Sequence, residues 1–189
     1  DLSFNVTYAV IAFLLIETML FFALRRATFS LEKMIAKQTA TLRDMAAHDE
    51  LTGLYNRRAF WEQLEHEYAW HQRHRGNLTM MFIDLDKLKR INDTYGHGVG
   101  DQVLIQLAEI FRRELRTEDY IARFGGDEFA MILRHTTEED GVRLARRLKT
   151  AVANFGFGPD LKPLRATVSI GVVGGQGPSI PAPDVLAEE

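Results

Sequence analysis

Two carboxylates directly follow a pair of glycines in this sequence. Gly125 and Gly126 lie between two short apolar runs, and a glycine pair in that setting predicts a tight β-hairpin. Asp127 and Glu128 come next, where the second strand is expected to begin. A charge in a buried strand is costly without a partner, and a cation is one such partner. The alternative is a surface hairpin whose acids are only solvated.

A third carboxylate ends another apolar run. Residues 78–83 have the composition of a buried strand, and Asp84 follows them. Ligand sites in α/β proteins commonly lie at the carboxyl ends of strands, so we expect Asp84 to face Asp127 and Glu128 across neighbouring strands. Three carboxylates repel one another unless a divalent cation neutralises them. Oxygen-only ligands favour Mg²⁺ or Mn²⁺ over Zn²⁺.

The elements expected around these acids alternate between helices and strands. Apolar spacing and turn residues predict helices over 57–75, 99–116 and 136–155, strands over 78–84 and 164–173, and loop or disorder over 174–189. From the first strand onward the expected order is β-α-α-β-β-α-β. This order predicts a mixed sheet with helices on one side.

The first 26 residues predict a transmembrane helix. Residues 4–24 are mostly apolar and long enough to cross a hydrocarbon core of about 30 Å. Arg25 and Arg26 follow, which places the downstream part in the cytoplasm by the positive-inside rule. Glu17 opposes this prediction because a charge within a span is costly. An amphipathic dimer helix and a cleaved signal peptide are the alternatives.

Residues 27–48 predict a helical linker. Its seam has the 4-3-4-3 spacing of a coiled coil, formed by Leu31, Ile35, Gln38, Leu42 and Met45. The spacing covers few heptads, and a plain amphipathic linker is the alternative.

Composition excludes some classes of site. The chain has no cysteine, which excludes disulfides and thiolate metal sites. Its net charge of −3 gives no indication of a nucleic-acid partner. Because the first residue is Asp1 rather than methionine, we expect the chain to be a fragment.

Three separate segments resemble the motifs of one bacterial family. Residues 123–129, Arg-Phe-Gly-Gly-Asp-Glu-Phe, match the signature of the GGDEF family, the diguanylate cyclases. Residues 84–101 resemble that family's nucleotide-binding segment, and residues 49–57 resemble the motif that begins its domain. The resemblance implies an α/β (α+β) domain over 49–189, with a mixed sheet and flanking helices similar to the palm of nucleotidyl cyclases. The family's last helix is missing here, so we expect a C-terminal truncation.

The resemblance implies an activity and a set of metal ligands. The activity is the condensation of two GTP molecules into cyclic di-GMP by a homodimer, with release of two pyrophosphates. Two Mg²⁺ or Mn²⁺ ions per active site are implied, held by Asp84, the backbone carbonyl of Leu85, Asp127 and Glu128. Asp127 is also the candidate proton acceptor. Lys89 is expected to offset phosphate charge, and a solvated helix lysine is the alternative.

The resemblance also implies two nucleotide contacts. Asp101 can accept the two donors on the Watson–Crick edge of guanine, and Asn92 can complete the contacts, which favours GTP over ATP. His97 lies beside them and is expected either near the nucleotide or in a structural role. An inhibitory site for the cyclic di-GMP product is expected at Arg116 and Asp119, with Arg147 contributing.

Taken with the N-terminal predictions, the resemblance implies a single-pass protein of the bacterial inner membrane with a cytoplasmic GGDEF domain. One alternative is a degenerate domain that binds GTP or cyclic di-GMP without turnover. A second is a signalling relay in which the coiled coil and the membrane helix matter more than the chemistry. The intact residues 125–129 together with Asp84 favour the enzyme.

Overall fold

The computed structural model describes residues 14, 17–26, 28–34, 47–157 and 164–183. The chain divides into two compact units, Asp1–Ala46 and Ala47–Glu189. The described residues of the first unit are helical. Most of the predicted coiled-coil seam, including residues 35–46, lies outside the described residues, so the coiled coil stays a prediction.

The described part of the chain contains no helix that is long and apolar enough to cross a membrane. Of the predicted span, residues 14 and 17–24 are described, and all of them are helical. The prediction of a single-pass location at the bacterial inner membrane is therefore corrected. Residues 4–13 and 15–16 of that predicted span lie outside the described residues.

The second unit contains a five-stranded mixed sheet. Its elements in chain order are β1 (Tyr55–Asn56), α1 (Arg57–His74), β2 (Asn77–Leu85), α2 (Leu88–Tyr95), α3 (His97–Glu114), β3 (Tyr120–Gly125), β4 (Glu128–Arg134), α4 (Glu138–Asn154), β5 (Val168–Gln176) and a final 3₁₀ turn (Gly177–Ser179). The strand order is β1-β3-β4-β2-β5. β1 pairs parallel with β3, whereas β3–β4, β4–β2 and β2–β5 are antiparallel. The predicted α/β class with a mixed sheet and flanking helices is confirmed.

Helices cover both faces of the sheet, which corrects the one-sided expectation. Alternate β2 side chains, Met81, Ile83 and Leu85, join the larger core with α2, α3 and α4. The other set, which includes Leu78 and Met80, packs with α1 on the opposite face. An apolar stripe in the sequence identifies a helix that packs against the sheet, but it does not show which face of the sheet the helix covers.

Side-chain caps fix the N-terminal ends of α1 and α4. The Asn56 side chain accepts a hydrogen bond from the backbone N–H of Ala59 at 3.0 Å and begins α1. Thr137 similarly accepts from the N–H of Asp140 and begins α4. Such caps satisfy donors that the first turn leaves unpaired. Both helices agree with the predicted ranges to within two residues.

β5 extends beyond its predicted end at Val173. Gly174 and Gly175 stay in the strand although they were predicted to begin a loop. A Cβ at Gly174 would lie 2.5 Å from the Thr79 hydroxyl, and one at Gly175 would lie 2.6 Å from the Ser179 carbonyl. These glycines allow close packing rather than a turn.

Candidate active site

The hairpin between β3 and β4 carries two of the predicted site residues. The backbone φ is +142° at Gly125 and +54° at Gly126, which favours glycine at both positions. A register shift between Arg123 and Gly125 pairs Gly125 with Glu128. Gly126 and Asp127 are therefore the turn residues, whereas the sequence suggested a Gly125-Gly126 turn. The shift places Asp127 in the turn and leaves Glu128 as the first residue of β4.

Asp84 and Glu128 lie directly opposite each other on antiparallel strands β2 and β4. Directly opposed side chains in such a pair have Cβ atoms roughly 5 Å apart. Burial raises the pKa of Asp84 above its ordinary value, and the charges of Asp127, Asp86 and Glu128 raise it further. The strand pairing thus concentrates negative charge at one end of the sheet.

The donor set at this point fits a divalent cation. Asp84 and Glu128 offer carboxylates, whereas the Leu85 side chain is fully buried and leaves only its backbone at the site. Nowhere in the described ranges is there a group of three or more His, Cys, Asp or Glu that could hold a metal ion. Two carboxylates and a carbonyl still suit Mg²⁺ or Mn²⁺, because these ions commonly take their other ligands from water and phosphate.

Asn92 lies on α2 against the start of α3. Its Oδ1 is buried and has no hydrogen-bond partner among the described residues. A Cβ at Gly100 would lie 1.9 Å from this oxygen, so only glycine leaves room for the amide. Asp101 follows Gly100 and is exposed. The pair of helices α2 and α3 therefore carries the Asn92 amide oxygen, which has no partner among the described residues, and the exposed carboxylate of Asp101.

Lys89 and His97 are the remaining predicted substrate contacts. Lys89 is exposed in the first turn of α2, and His97 is the exposed first residue of α3. Both lie on the helix pair that carries Asn92 and Asp101. Within the described part of the chain, neither side chain forms a hydrogen bond or an ion pair, so both are accessible to a ligand.

Asp86 is a site residue to which the sequence assigned no role. Its Oδ2 accepts a hydrogen bond from the Thr167 hydroxyl at 2.5 Å, and its Oδ1 accepts one from the Ser169 hydroxyl at 2.8 Å. These two bonds hold the pKa of Asp86 below its usual value. Thr167 and Ser169 lie two residues apart, as expected for side chains on one face of a strand. This spacing does not reveal which acid accepts their hydrogen bonds.

Arg123 is a second residue whose role the sequence did not reveal. It donates to both oxygens of Asp49 at 3.1 and 3.2 Å, and also to the carbonyl of Gly126 at 2.8 Å. Partial burial raises the pKa of Asp49, but hydrogen bonds from Thr52 and Arg123 outweigh this effect and hold it below its usual value. Both residues belong to motifs quoted above, but 74 positions separate them. This contact fixes the hairpin turn to the start of the domain.

A cleft of about 790 Å³ opens beside Asp84 and Glu128. Its wall includes Trp61, Phe124 and Arg57, and the Arg57 guanidinium lies over the Phe124 ring at 5.6 Å. The cleft gives the two acids access to solvent and to a ligand.

A second cleft, of about 410 Å³, brings together Arg116, Asp119 and Arg147. Asp119 Oδ2 accepts a hydrogen bond from the Arg116 N–H, and its buried Oδ1 has no partner among the described residues. Burial raises the pKa of Asp119. Arg147 donates to the side chain and the carbonyl of Glu114 at 2.5 and 2.7 Å. The cleft is thus lined by three guanidinium groups, those of Arg116, Arg143 and Arg147, and by Asp119, whose Oδ1 has no partner among the described residues.

Comparisons with known proteins show which family the second unit resembles in sequence and fold. The family model described as "Diguanylate cyclase, GGDEF domain" matches residues 46–184. The chain is 44% identical over 135 residues to diguanylate cyclase DgcP of Pseudomonas aeruginosa, which covers 71% of this chain and 20% of that protein. It is 36% identical over 138 residues to the probable diguanylate cyclase DgcC of Escherichia coli, which covers 73% of this chain and 37% of that protein. The chain therefore spans less than two fifths of the length of either relative.

The fold is similar to a solved structure of the coiled coil and GGDEF domain of DgcB from Caulobacter crescentus, in complex with c-di-GMP. The TM-score is 0.74 and the sequence identity is 26%. The match covers 87% of this chain and 86% of that one.

Proposed function

Because the chain belongs to the GGDEF diguanylate cyclase family, we propose that it condenses two GTP molecules into cyclic di-GMP. Each 3′-hydroxyl oxygen attacks the α-phosphorus of the other GTP, a new phosphodiester bond forms, and pyrophosphate leaves. The observation that carries the proposal is the cross-strand pair of Asp84 and Glu128 beside the hairpin turn.

Asp84, Glu128 and the Leu85 carbonyl are proposed to hold two Mg²⁺ or Mn²⁺ ions, with Asp127 assisting from the turn. When bound, such ions activate the attacking oxygen and neutralise charge on the leaving group. Asp127 is also proposed to accept the proton of the 3′-hydroxyl. Lys89 is proposed to offset phosphate charge in the transition state. Burial raises the pKa of Asp84, and the neighbouring acids Asp127, Asp86 and Glu128 raise it further; this crowding of carboxylates supports the cation site.

Guanine recognition is assigned to Asn92 and Asp101, with His97 beside them. The carboxylate of Asp101 can accept from N1–H and N2–H₂ of guanine, and the unpaired Oδ1 of Asn92 supplies a further acceptor. Adenine lacks this pair of donors. GTP is therefore the proposed substrate.

The active form is proposed to be a homodimer. One site of this kind binds one GTP, whereas the reaction joins two. Two domains related by a twofold axis can bring both nucleotides together in antiparallel orientation.

The second cleft is proposed to bind the cyclic di-GMP product. Arg116 and Arg147 can each donate to O6 and N7 of guanine, and Asp119 can accept from the opposite edge. Binding there is proposed to inhibit the enzyme. The joint position of these three residues in one cleft supports the proposal.

The proposed reaction is tested by incubating the 189-residue chain with GTP and Mg²⁺ and analysing the products by liquid chromatography. We expect cyclic di-GMP and two equivalents of pyrophosphate. Asp84→Asn and Glu128→Gln should each lower the rate by roughly 10²-fold or more. Glu109→Gln, which removes an exposed carboxylate paired with Arg113 on α3, is the matched control.

Two outcomes would contradict the proposed turnover. If GTP binds but no cyclic di-GMP forms, the domain is a nucleotide-binding module. If both site variants retain the full rate, the cross-strand acids do not carry the reaction.

A further inference from the structure

Asp86 joins the end of β2 to the start of β5 through three hydrogen bonds. Its two carboxylate oxygens accept from the hydroxyls of Thr167 and Ser169. Its backbone N–H donates to the carbonyl of Thr167 at 3.0 Å. The ladder between these strands ends with the pair of Leu85 and Val168. Asp86 therefore extends the connection by one residue beyond the sheet.

The segment that Asp86 holds lies between the proposed metal ligands and the proposed phosphate contact. On one side, the Leu85 N–H donates to the carbonyl of Asp127 at 3.0 Å. On the other side, Lys87 has a left-handed backbone with φ of +63°, and α2 begins directly after it without a side-chain cap. A non-glycine residue in that conformation persists only where its surroundings hold it. The bonds of Asp86 to β5 supply such a restraint.

We propose that Asp86 is a positioning residue for the cyclase reaction, an inference that rests on the proposed function. Asp86 anchors the turn to β5, and this fixes the carbonyl of Leu85 and the first turn of α2, with Lys89, relative to Asp84. In this account Asp86 is neither a metal ligand nor a base, and its two carboxylate oxygens serve to accept the hydrogen bonds of the two hydroxyls.

The test compares variants on both sides of the contact. Asp86→Ala removes the acceptor, and the double variant Thr167→Val with Ser169→Ala removes the donors. The triple variant combines them. Thr150→Val, which removes an exposed hydroxyl that bonds only within α4, is the matched control. For each protein, kcat and KM for GTP are measured at a temperature where circular dichroism shows it fully folded.

We expect Asp86→Ala and the double hydroxyl variant each to lower kcat by on the order of tenfold to a hundredfold, the effect of a small misplacement. The KM for GTP should change by less than roughly threefold, because none of these substitutions removes a side chain assigned to guanine. The triple variant should be no slower than the worse of its two parents, since all three changes break one connection. Asp86→Asn should restore most of the rate, because an amide can accept from one hydroxyl and donate to the other.

Three results would overturn the inference. A loss of kcat in Asp86→Ala that the double hydroxyl variant does not reproduce would mean that Asp86 acts directly on the cations or the substrate. If the losses of kcat in the two parent variants multiply in the triple variant, Asp86 and the two hydroxyls have independent roles. Unchanged kcat in all variants would mean that the contact has no catalytic consequence.

A measurement on the metal-free protein separates this inference from the proposed function. Amide hydrogen exchange at Leu85, Asp86 and Lys87 should be faster in Asp86→Ala and in the double hydroxyl variant than in the wild type, and unchanged in Thr150→Val. If the wild-type chain makes no cyclic di-GMP, the proposed reaction fails while exchange still reports the hold of Asp86 on the turn. Equal rates of amide exchange in all four proteins would show that Asp86 does not restrain the turn, whatever the activity.

Discussion

Asp84 and Asp86 lie two residues apart and have carboxylates in opposite electrostatic settings. Burial and three neighbouring acids raise the pKa of Asp84, whereas hydrogen bonds from Thr167 and Ser169 lower that of Asp86. A carboxylate that accepts two hydroxyl bonds is stabilised as an anion, but one that faces other acids needs a cation. The same short segment therefore supplies one structural acid and one candidate ligand.

Gly100→Ala should selectively disrupt the proposed guanine site. The added Cβ would lie 1.9 Å from Asn92 Oδ1 and must displace the amide. We expect GTP affinity to fall by about tenfold, equivalent to about 1.4 kcal/mol or one lost hydrogen bond. Titration calorimetry with GTP measures the change.

Gly98→Ala is the matched control for that variant. Nothing lies within 4 Å of a Cβ at Gly98, which is also in α3. It should leave GTP affinity unchanged. Equal affinities for both alanine variants would contradict the role of Asn92.

His71 should make the stability of the domain depend on pH. Its side chain is fully buried, its Nδ1 lies 2.8 Å from the Glu67 carbonyl, and its Nε2 has no partner among the described residues. Burial lowers the pKa of His71, and Arg134 and His135 act in the same direction, against the opposing effect of Glu67. The stability contributed by neutral His71 is complete above the unfolded-state pKa of about 6.5. It is lost as pH falls through the lower folded-state pKa, because the unfolded chain binds the proton more readily.

Urea unfolding between pH 8 and pH 5 measures this dependence. The free energy of unfolding of the wild type should fall more steeply toward pH 5 than that of His71→Gln. His66→Gln, which replaces an exposed histidine of the same helix, should keep the wild-type slope. The prediction would be contradicted if the free energy of unfolding depends on pH in the same way in the wild type and in His71→Gln.

At the scale of elements, the β3–β4 hairpin depends on a contact from outside the sheet. Arg123 bonds to Asp49 at the start of the domain and to the carbonyl of Gly126 in the turn. The side chains of this ion pair are only 11% and 22% exposed. The turn that carries Asp127 is therefore restrained through Arg123 by Asp49, which lies 74 positions before Arg123.

Arg123→Ala should destabilise the domain by about 1.5–3 kcal/mol, the range for hydrogen bonds to a charged group. Arg123→Lys should have a smaller effect, because it keeps the charge but loses the bidentate geometry. Urea unfolding of Arg123→Ala, Asp49→Asn and the double variant measures the coupling. Strictly additive losses would show that the two residues do not stabilise each other.

The sequence predicts some elements better than others for physical reasons. Apolar spacing and capping residues locate α1 and α4 closely, because these signals are local. The parallel strand β1 and the register shift beside Gly125 depend on pairing with distant residues. The predicted acids could be chosen from residue type and resemblance, but the bonds of Asp86 to Thr167 and Ser169 could not, because they join residues more than 80 positions apart.

At the scale of the whole unit, two clefts among the described residues differ in their ionisable side chains. One opens beside Asp84 and Glu128, and the other contains Arg116, Arg147 and Asp119. The first cleft has two acids and one arginine, an excess of acid that suits cations with a nucleotide. The second has three arginines and three acids, a set that suits the phosphates and guanines of a product. This division supports the proposal that one domain both makes and detects cyclic di-GMP.

Arg116→Ala should relieve product inhibition without lowering the initial rate. The substitution removes a guanidinium from the second cleft but leaves the acids of the first cleft in place. The measurement is the initial rate at increasing added cyclic di-GMP, with Arg113→Ala, an exposed α3 residue paired with Glu109, as the control. Equal inhibition of Arg116→Ala and wild type would contradict the assignment of the cleft.

Cation binding by the cross-strand acids is the claim on which this account depends most. It is tested by titrating the 189-residue chain with Mn²⁺ in the presence of 3′-deoxy-GTP, with free Mn²⁺ followed by electron paramagnetic resonance. After correction for Mn²⁺ bound to the nucleotide alone, we expect tight binding to the wild type and to Glu109→Gln. Asp84→Asn and Glu128→Gln should each weaken that binding by at least about tenfold, or about 1.4 kcal/mol. Identical Mn²⁺ binding by all four proteins would contradict the account.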